Sequence, residues 1–208
     1  MTIQKDLRVK KTLKQIDNAL LDILSETSFD KITVDELCRT AIINRSTFYK
    51  YYKNKNDLLN NYLNRVIERF KQQIDAAFVT ASPENIHNVI YQKNFERVLN
   101  FMYKHKREYL ILWDYLTEER VFVKMVQVVQ DRMLEKLTDS HDLSAKNVPQ
   151  IDLYARLFAY DMMTVVRWWF KYENEISITS VKEIMMNNMK QGVFRTFREY
   201  IDVQLKQS

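Results

Sequence analysis

The sequence predicts an all-α protein, and three observations carry that prediction. The 208 residues contain one glycine, Gly192, and two prolines, Pro83 and Pro149. Tight β-turns and hairpins lean on glycine for their positive φ, so a sheet protein would have little to turn with here. Apolar residues recur at spacings of three and four along most of the chain, the period of a helix with one buried face. Helix-starting residues stand ahead of several of these stripes. The shortage of glycine also excludes the Gly-rich phosphate loops of Rossmann and P-loop nucleotide sites, and an apolar fraction of 46% suits a packed core.

The first helix is predicted over about residues 9 to 26, with Leu13, Ile16, Leu20, Ile23 and Leu24 on one face. Its N-terminal arm carries Lys5, Arg8, Lys10, Lys11 and Lys14 against Asp6, suited to adjacent phosphates, with a disordered, solubilising tail as the equal alternative for the first eight residues. Thr33 then caps a second, short helix, with Glu36 three residues on to complete a capping box. Val34, Leu37, Cys38 and Ala41 form its buried stripe. After a break at Ile42-Ile43, Asn44 opens a third helix in which Phe48 and Tyr52 point inward and Arg45, Ser46, Tyr49 and Lys50 point outward. Cations, hydroxyls and a phenol at the start of such a helix match what a major groove and its flanking phosphates require. A fourth helix begins near Lys55 and passes Phe70, with Leu59, Tyr62, Leu63 and Val66 on its stripe. No flexible linker interrupts it, so it joins an N-terminal domain, residues 1–55, to a larger helical domain, residues 56–208.

Within that second part, Ser82-Pro83 reads as an N-cap with proline at the first helical position, opening a helix to Tyr103. Helices are expected at about 106–117 and 119–138, and a polar loop from Asp139 to Pro149. Beyond it, Ile151, Ala155, Phe158, Met162, Val165 and Trp169 form a heptad-like seam. A last helix, about 179–204, places Met185, Met189, Val193, Phe197 and Ile201 on one line. Gly192 falls inside that helix at a cost of about 1 kcal/mol relative to alanine, which a close helix-helix approach would justify.

Charge sharpens the expectation. Residues 1–55 carry 11 Lys and Arg against 7 Asp and Glu, while residues 39–55 carry five cations and no acid: Arg39, Arg45, Lys50, Lys53 and Lys55. Such a cluster on the outward helix supplies the sequence-independent attraction to phosphates that a DNA binder needs. Cys38 lies on the inward stripe and is a core residue first. His87, His105 and His141 have no metal-ligand spacing, and no cofactor motif is visible. No run approaches 18 apolar residues and no secretory signal opens the chain, so a cytoplasmic protein without a membrane partner is expected.

The stretches Thr33-Val34-Asp35-Glu36-Leu37, Ser46-Thr47-Phe48-Tyr49 and Tyr52-Lys53-Asn54-Lys55-Asn56-Asp57-Leu58-Leu59 resemble the tetracycline-repressor (TetR) type of bacterial transcription regulators. The resemblance covers about residues 9 to 65. It departs at Ile42, where the family usually has glycine. A different backbone path or a strained turn is expected there. The resemblance implies operator DNA as partner, met by Thr33, Asn44, Arg45, Ser46, Thr47, Tyr49, Lys50, Tyr51 and Lys55, with Tyr49 and Lys55 on phosphates.

It further implies a homodimer whose last two long helices pack across a two-fold axis, and the two seams fit that role; a purely intrachain core would explain them equally. Residues 95–200 hold all three tryptophans and eight of nine methionines, side chains that suit a cavity adapting to a small apolar effector. Phe101, Trp113, Tyr115, Met125, Phe158, Met162 and Trp169 are the candidate lining, each equally at home in plain core. The segment Val166-Arg167-Trp168-Trp169-Phe170 resembles a branch lying beside dihydroxyacetone-kinase genes, which includes an activator working through a protein partner. The expected function is therefore a homodimeric repressor released by an effector, with a partner-dependent regulator or activator as the alternative; a helical enzyme finds no support in any nucleophile–base pair.

Overall fold

The computed structural model describes residues 2–77, 89–114, 120–140 and 148–192. Its helices are α1 (Thr2–Leu24), α2 (Val34–Thr40), α3 (Arg45–Tyr49), α4 (Lys55–Lys71), α5 (Val89–Lys104), α6 (Lys106–Asp114), α7 (Arg120–Ser140), α8 (Val148–Lys171) and α9 (Ile178–Gln191), with a 3-10 turn at Phe29–Lys31. Every regular element among the described residues is helical, as the scarcity of glycine predicts. No helix among them is long and apolar enough to cross a membrane.

The chain divides into two compact units, one of residues 1–70 and 107–124, the other of residues 71–106 and 125–208. In the first, α1 packs on α2 and α2 on α3. Ile16, Leu20 and Leu24 of α1, Leu37 of α2, Phe48 of α3 and Leu58 of α4 are wholly buried. Burying each of these side chains contributes about 1.5–3 kcal/mol, so the short α2 and α3 owe their stability to this shared core and not to their length. Polar bonds tie α1, α4 and α6 together. Arg65 of α4 pairs with Asp17 of α1, and Arg107 of α6 with Asp22 of α1 at 2.7 Å. Glu108 of α6 is buried, accepts a hydrogen bond from the Tyr62 hydroxyl and pairs with Arg69 at 2.6 Å. Burial and the neighbouring Glu108 carboxylate push the Tyr62 phenol well above its ordinary pKa, so it stays a donor. Tyr109, Trp113 and Phe122 complete this unit's core in a stacked and edge-on aromatic cluster.

In the second unit α9 packs on α5 and α8. Gln130 of α7, buried, donates to Asp152 of α8 at 2.6 Å. Trp169 stacks on Tyr103, and its indole N–H donates to the Ile176 carbonyl at 3.0 Å. On α8 the heptad-like seam faces inward: Ala155, Met162 and Trp169 are buried within the chain itself, while Ile151, Phe158 and Val165 are half-buried. The same helix leaves Leu153, Tyr154, Leu157, Tyr160 and Trp168 exposed.

Three boundaries differ from expectation. Helix α1 begins at Thr2 instead of residue 9, because its early residues include good helix formers (Gln, Lys, Leu, Arg) and no breaker. Pro149 sits in the first turn of α8 instead of a loop, a place where its missing N–H costs nothing. Gly192 is not inside the last helix: with φ 78° it ends α9, its N–H bonding the Asn188 carbonyl. Nothing lies within 4 Å of where its Cβ would be, so positive φ explains this glycine and close helix packing does not. The Ser82-Pro83 cap, most of the 139–149 loop, and Tyr115, Val193, Phe197 and Ile201 lie outside the described residues.

Candidate nucleic-acid interface

The α2–turn–α3 segment is built from its caps outward. Thr33 accepts the Glu36 N–H at 3.1 Å through its hydroxyl, the predicted cap of α2. At the second cap, Asn44 has extended backbone and its carbonyl receives the Thr47 and Phe48 N–H groups, but its side chain makes no capping bond. The Asn44 side chain therefore stays exposed beside the start of α3. Between the two helices Ile42 adopts φ 55° and lies 85% exposed. The turn thus keeps a left-handed backbone with a β-branched residue in it, an arrangement that costs about 1–2 kcal/mol in L-residues. Of the two outcomes expected at this departure, the strained turn is the one observed.

Phe48 and Tyr52 are buried as predicted, their ring centroids 5.7 Å apart. This pins one side of α3 and turns Arg45, Ser46, Tyr49 and Lys50 outward, all four exposed. Thr47 and Tyr51 are half-buried. Tyr49 stands edge-on to Phe48 at 5.6 Å, so its position is fixed while its hydroxyl reaches solvent. Arg45 pairs with Asp35 at 3.0 Å and donates to the Tyr49 hydroxyl at 3.4 Å. Both charged partners are largely exposed, and such pairs are weak, so the guanidinium is oriented yet free to exchange partners.

An open groove of about 570 Å³ runs beside the turn, lined by Thr12 and Gln15 of α1, Arg39, Ile42, Asn44 and Thr47 among others. Sequence reasoning missed Thr12 and Gln15. Their three-residue separation on α1 was the available signal, but nothing local shows that α1 reaches the turn. Burial pushes the Cys38 thiol above its ordinary pKa, in line with a core role. Lys55 is the other surprise. Its ammonium donates to the carbonyls of Phe29, Asp30 and Ile32 at 3.1, 2.8 and 2.8 Å.

The candidate effector lining is distributed across both units. Trp113 belongs to the first unit; Phe101, Met125, Phe158, Met162 and Trp169 belong to the second. Trp113, Met125, Met162 and Trp169 are buried; Phe101 and Phe158 are half-buried. Of the last-helix residues, Met185 is buried within its own chain and Met189 half-buried.

Comparison with known proteins agrees with this geometry. Residues 18–62 match the family described as bacterial regulatory proteins, tetR family. An uncharacterized HTH-type transcriptional regulator, YxbF of Bacillus subtilis, is 35% identical over 81 residues, covering 38% of this chain and 20% of the relative. The HTH-type dhaKLM operon transcriptional activator DhaS of Lactococcus lactis is 25% identical over 129 residues, covering 59% of this chain and 54% of the relative. The chain thus spans about a fifth and about half of these two relatives. A TetR transcriptional regulator from Streptococcus agalactiae shares the fold, with a TM-score of 0.60 at 16% identity over 92% of this chain and 100% of that one. The capped pair of helices at 34–49 lies inside the stretch that matches the tetR family of bacterial regulatory proteins, and the likeness in fold extends over 92% of this chain.

Proposed function

We propose that the protein is a transcription regulator that reads double-stranded operator DNA with the N-terminal end of α3. The observation that carries this reading is the division of α3 into a buried side, Phe48, and an exposed side bearing Arg45, Ser46, Tyr49 and Lys50. Arg45 and Lys50 are assigned to base edges, Tyr49 and the exposed Lys53 to phosphates, and Thr33 and Asn44 to the flanks of the contact. Residues 1–55 form the DNA-binding part and residues 56–208 the sensing and dimerising part. No catalytic role is assigned.

Regulators of this size gain specificity by reading two half-sites as a dimer. The exposed apolar row on α8, chiefly Leu153, Leu157 and Tyr160, supports a second copy of this chain as its cover, since monomers rarely expose contiguous apolar faces. Repression released by a small apolar effector is the first reading of the output. It is supported by the Met-rich interior of the second unit, where Met162, Met163, Met185 and Met186 are buried, a packing that adapts to inserted groups. Activation through a protein partner is the second reading, favoured by the similarity to a relative described as an operon activator.

Selection of duplexes from a random pool, followed by gel-shift titration, tests the DNA assignment. Arg45→Ala and Lys50→Ala should each weaken binding roughly ten- to hundredfold and relax preference at a base position. Unchanged affinity and preference in both would remove α3 as the reader. A thermal-shift screen of metabolites separates the two outputs, because a ligand selective for the native state must raise the midpoint.

A further inference from the structure

Five cations stand between residues 39 and 55. Four of them, Arg39, Arg45, Lys50 and Lys53, are exposed, and Lys55 is half-buried. Lys55 opens α4, where the helix dipole disfavours a positive charge, so its presence there calls for a compensating partner. That compensation comes from backbone oxygens. Its ammonium reaches the carbonyls of Phe29, Asp30 and Ile32 within 2.8–3.1 Å and stands 5.0 Å from the Phe29 ring centroid. An ammonium has three donors and no more, and all three are engaged. A phosphate contact would need one of these charge-assisted bonds given up.

We propose that Lys55 is a positioning residue of the DNA reader and not one of its phosphate ligands. This rests on the DNA-binding reading above. The ammonium closes the segment Phe29–Ile32 onto the first turn of α4. That turn is itself fixed: Asn54 accepts the Asp57 N–H at 2.9 Å, and the Asp57 carboxylate accepts the Lys53 N–H at 2.9 Å. Ile32, 2% exposed, is followed directly by Thr33, the cap of α2. Lys55 therefore sets where α2 begins relative to α4. Because α2 packs on α3, it sets the orientation in which α3 is offered to DNA. Lys53, two residues earlier and exposed, is left to meet the phosphates.

The test compares Lys55→Met, Lys55→Arg and Lys53→Met in the full chain. Binding is measured by fluorescence anisotropy at several salt concentrations, on a duplex selected by the parent protein and on a scrambled one. Lys55→Met should lose tenfold or more on the selected duplex and less than threefold on the scrambled one, with the salt slope on the scrambled duplex unchanged. Lys53→Met should lower that slope by about 0.9. Lys55→Arg should resemble Lys55→Met, because a planar guanidinium fork cannot converge three donors on those carbonyls. Without DNA, Lys55→Met should melt several degrees below Lys53→Met. A salt slope reduced in Lys55→Met, or full affinity in Lys55→Arg, overturns the proposal in favour of a phosphate ligand. A lowered melting temperature with both affinities unchanged overturns the positioning role. If Lys55→Met does not fold, Lys55→Arg and Lys55→Gln carry the same comparisons. Should the parent protein select no duplex, the DNA-binding reading fails by itself. The melting comparison still decides the lock, and equal midpoints for Lys55→Met and Lys53→Met refute it.

Discussion

Replacing Ile42 by asparagine should stabilise the motif. Ile42 has φ 55° and is 85% exposed, so the parent protein carries the strain of a left-handed residue and gains little burial for it. Relief of that strain is worth about 1–2 kcal/mol, and asparagine visits this region routinely. The lost burial is a small fraction of the roughly 1.5–3 kcal/mol for a fully buried side chain, about 0.3 kcal/mol. Ile42→Asn should therefore gain about 1 kcal/mol. Ile42→Gly should gain less, because glycine brings about 0.5–1 kcal/mol of additional unfolded-state freedom. The lone cysteine provides a local assay: Cys38 is buried, and its carbonyl accepts the Ile43 N–H at the turn. Labelling of its thiol by a disulfide reagent requires the motif to open, so a gain of about 1 kcal/mol should slow labelling about fivefold. Labelling at the parent rate or faster in both variants would show that position 42 stores no strain.

Three further outcomes follow from other contacts. Glu108→Ala strips the acceptor from the buried Tyr62 hydroxyl and should cost about 1–3 kcal/mol in urea unfolding, with little added by Arg69, which is 44% exposed and can rehydrate. In a Tyr62→Phe background that cost should shrink; additive effects would refute the pairing. Burial raises the Asp161 pKa against the opposing hydrogen bond from Asn188. A carboxyl easier to protonate when folded lowers stability as pH rises through the window above its ordinary value of 3.8. Asp161→Asn should therefore be more stable than the parent at pH 7, with the advantage vanishing below pH of about 4; a constant difference across pH would contradict this. Leu157→Glu, on the exposed row of α8, should give a monomer in sedimentation velocity with folding intact, and a dimer of unchanged strength would displace the interface from that face.

The parts of the molecule written in local spacing were legible before any coordinates. The Thr33–Glu36 cap, the inward Phe48 and Tyr52, and the outward Arg45 and Lys50 are fixed by neighbours within four residues. Two kinds of feature were not legible. Where a helix is apolar on more than one side, as α8 is with both Met162 buried and Leu157 exposed, periodicity cannot tell which side faces its own core. Where the stripe runs on past a terminator, as at Gly192, the pattern hides the end that positive φ imposes. Lys55 shows a third difficulty. A run of cations reports charge, but not which of them spends it on backbone carbonyls from a segment more than twenty residues earlier.

The grouping of residues 107–124 with residues 1–70 has a consequence for how the chain is made. Tyr62 and Arg69 share Glu108 as a partner, so the first unit stays unfinished when residues 1–70 have left the ribosome. At about 5–20 residues per second, the 38 residues from position 70 to Glu108 take roughly 2–8 s to follow. During that interval the nascent headpiece has Tyr62 without its acceptor. A truncation ending at residue 70 holds the chain in that state permanently.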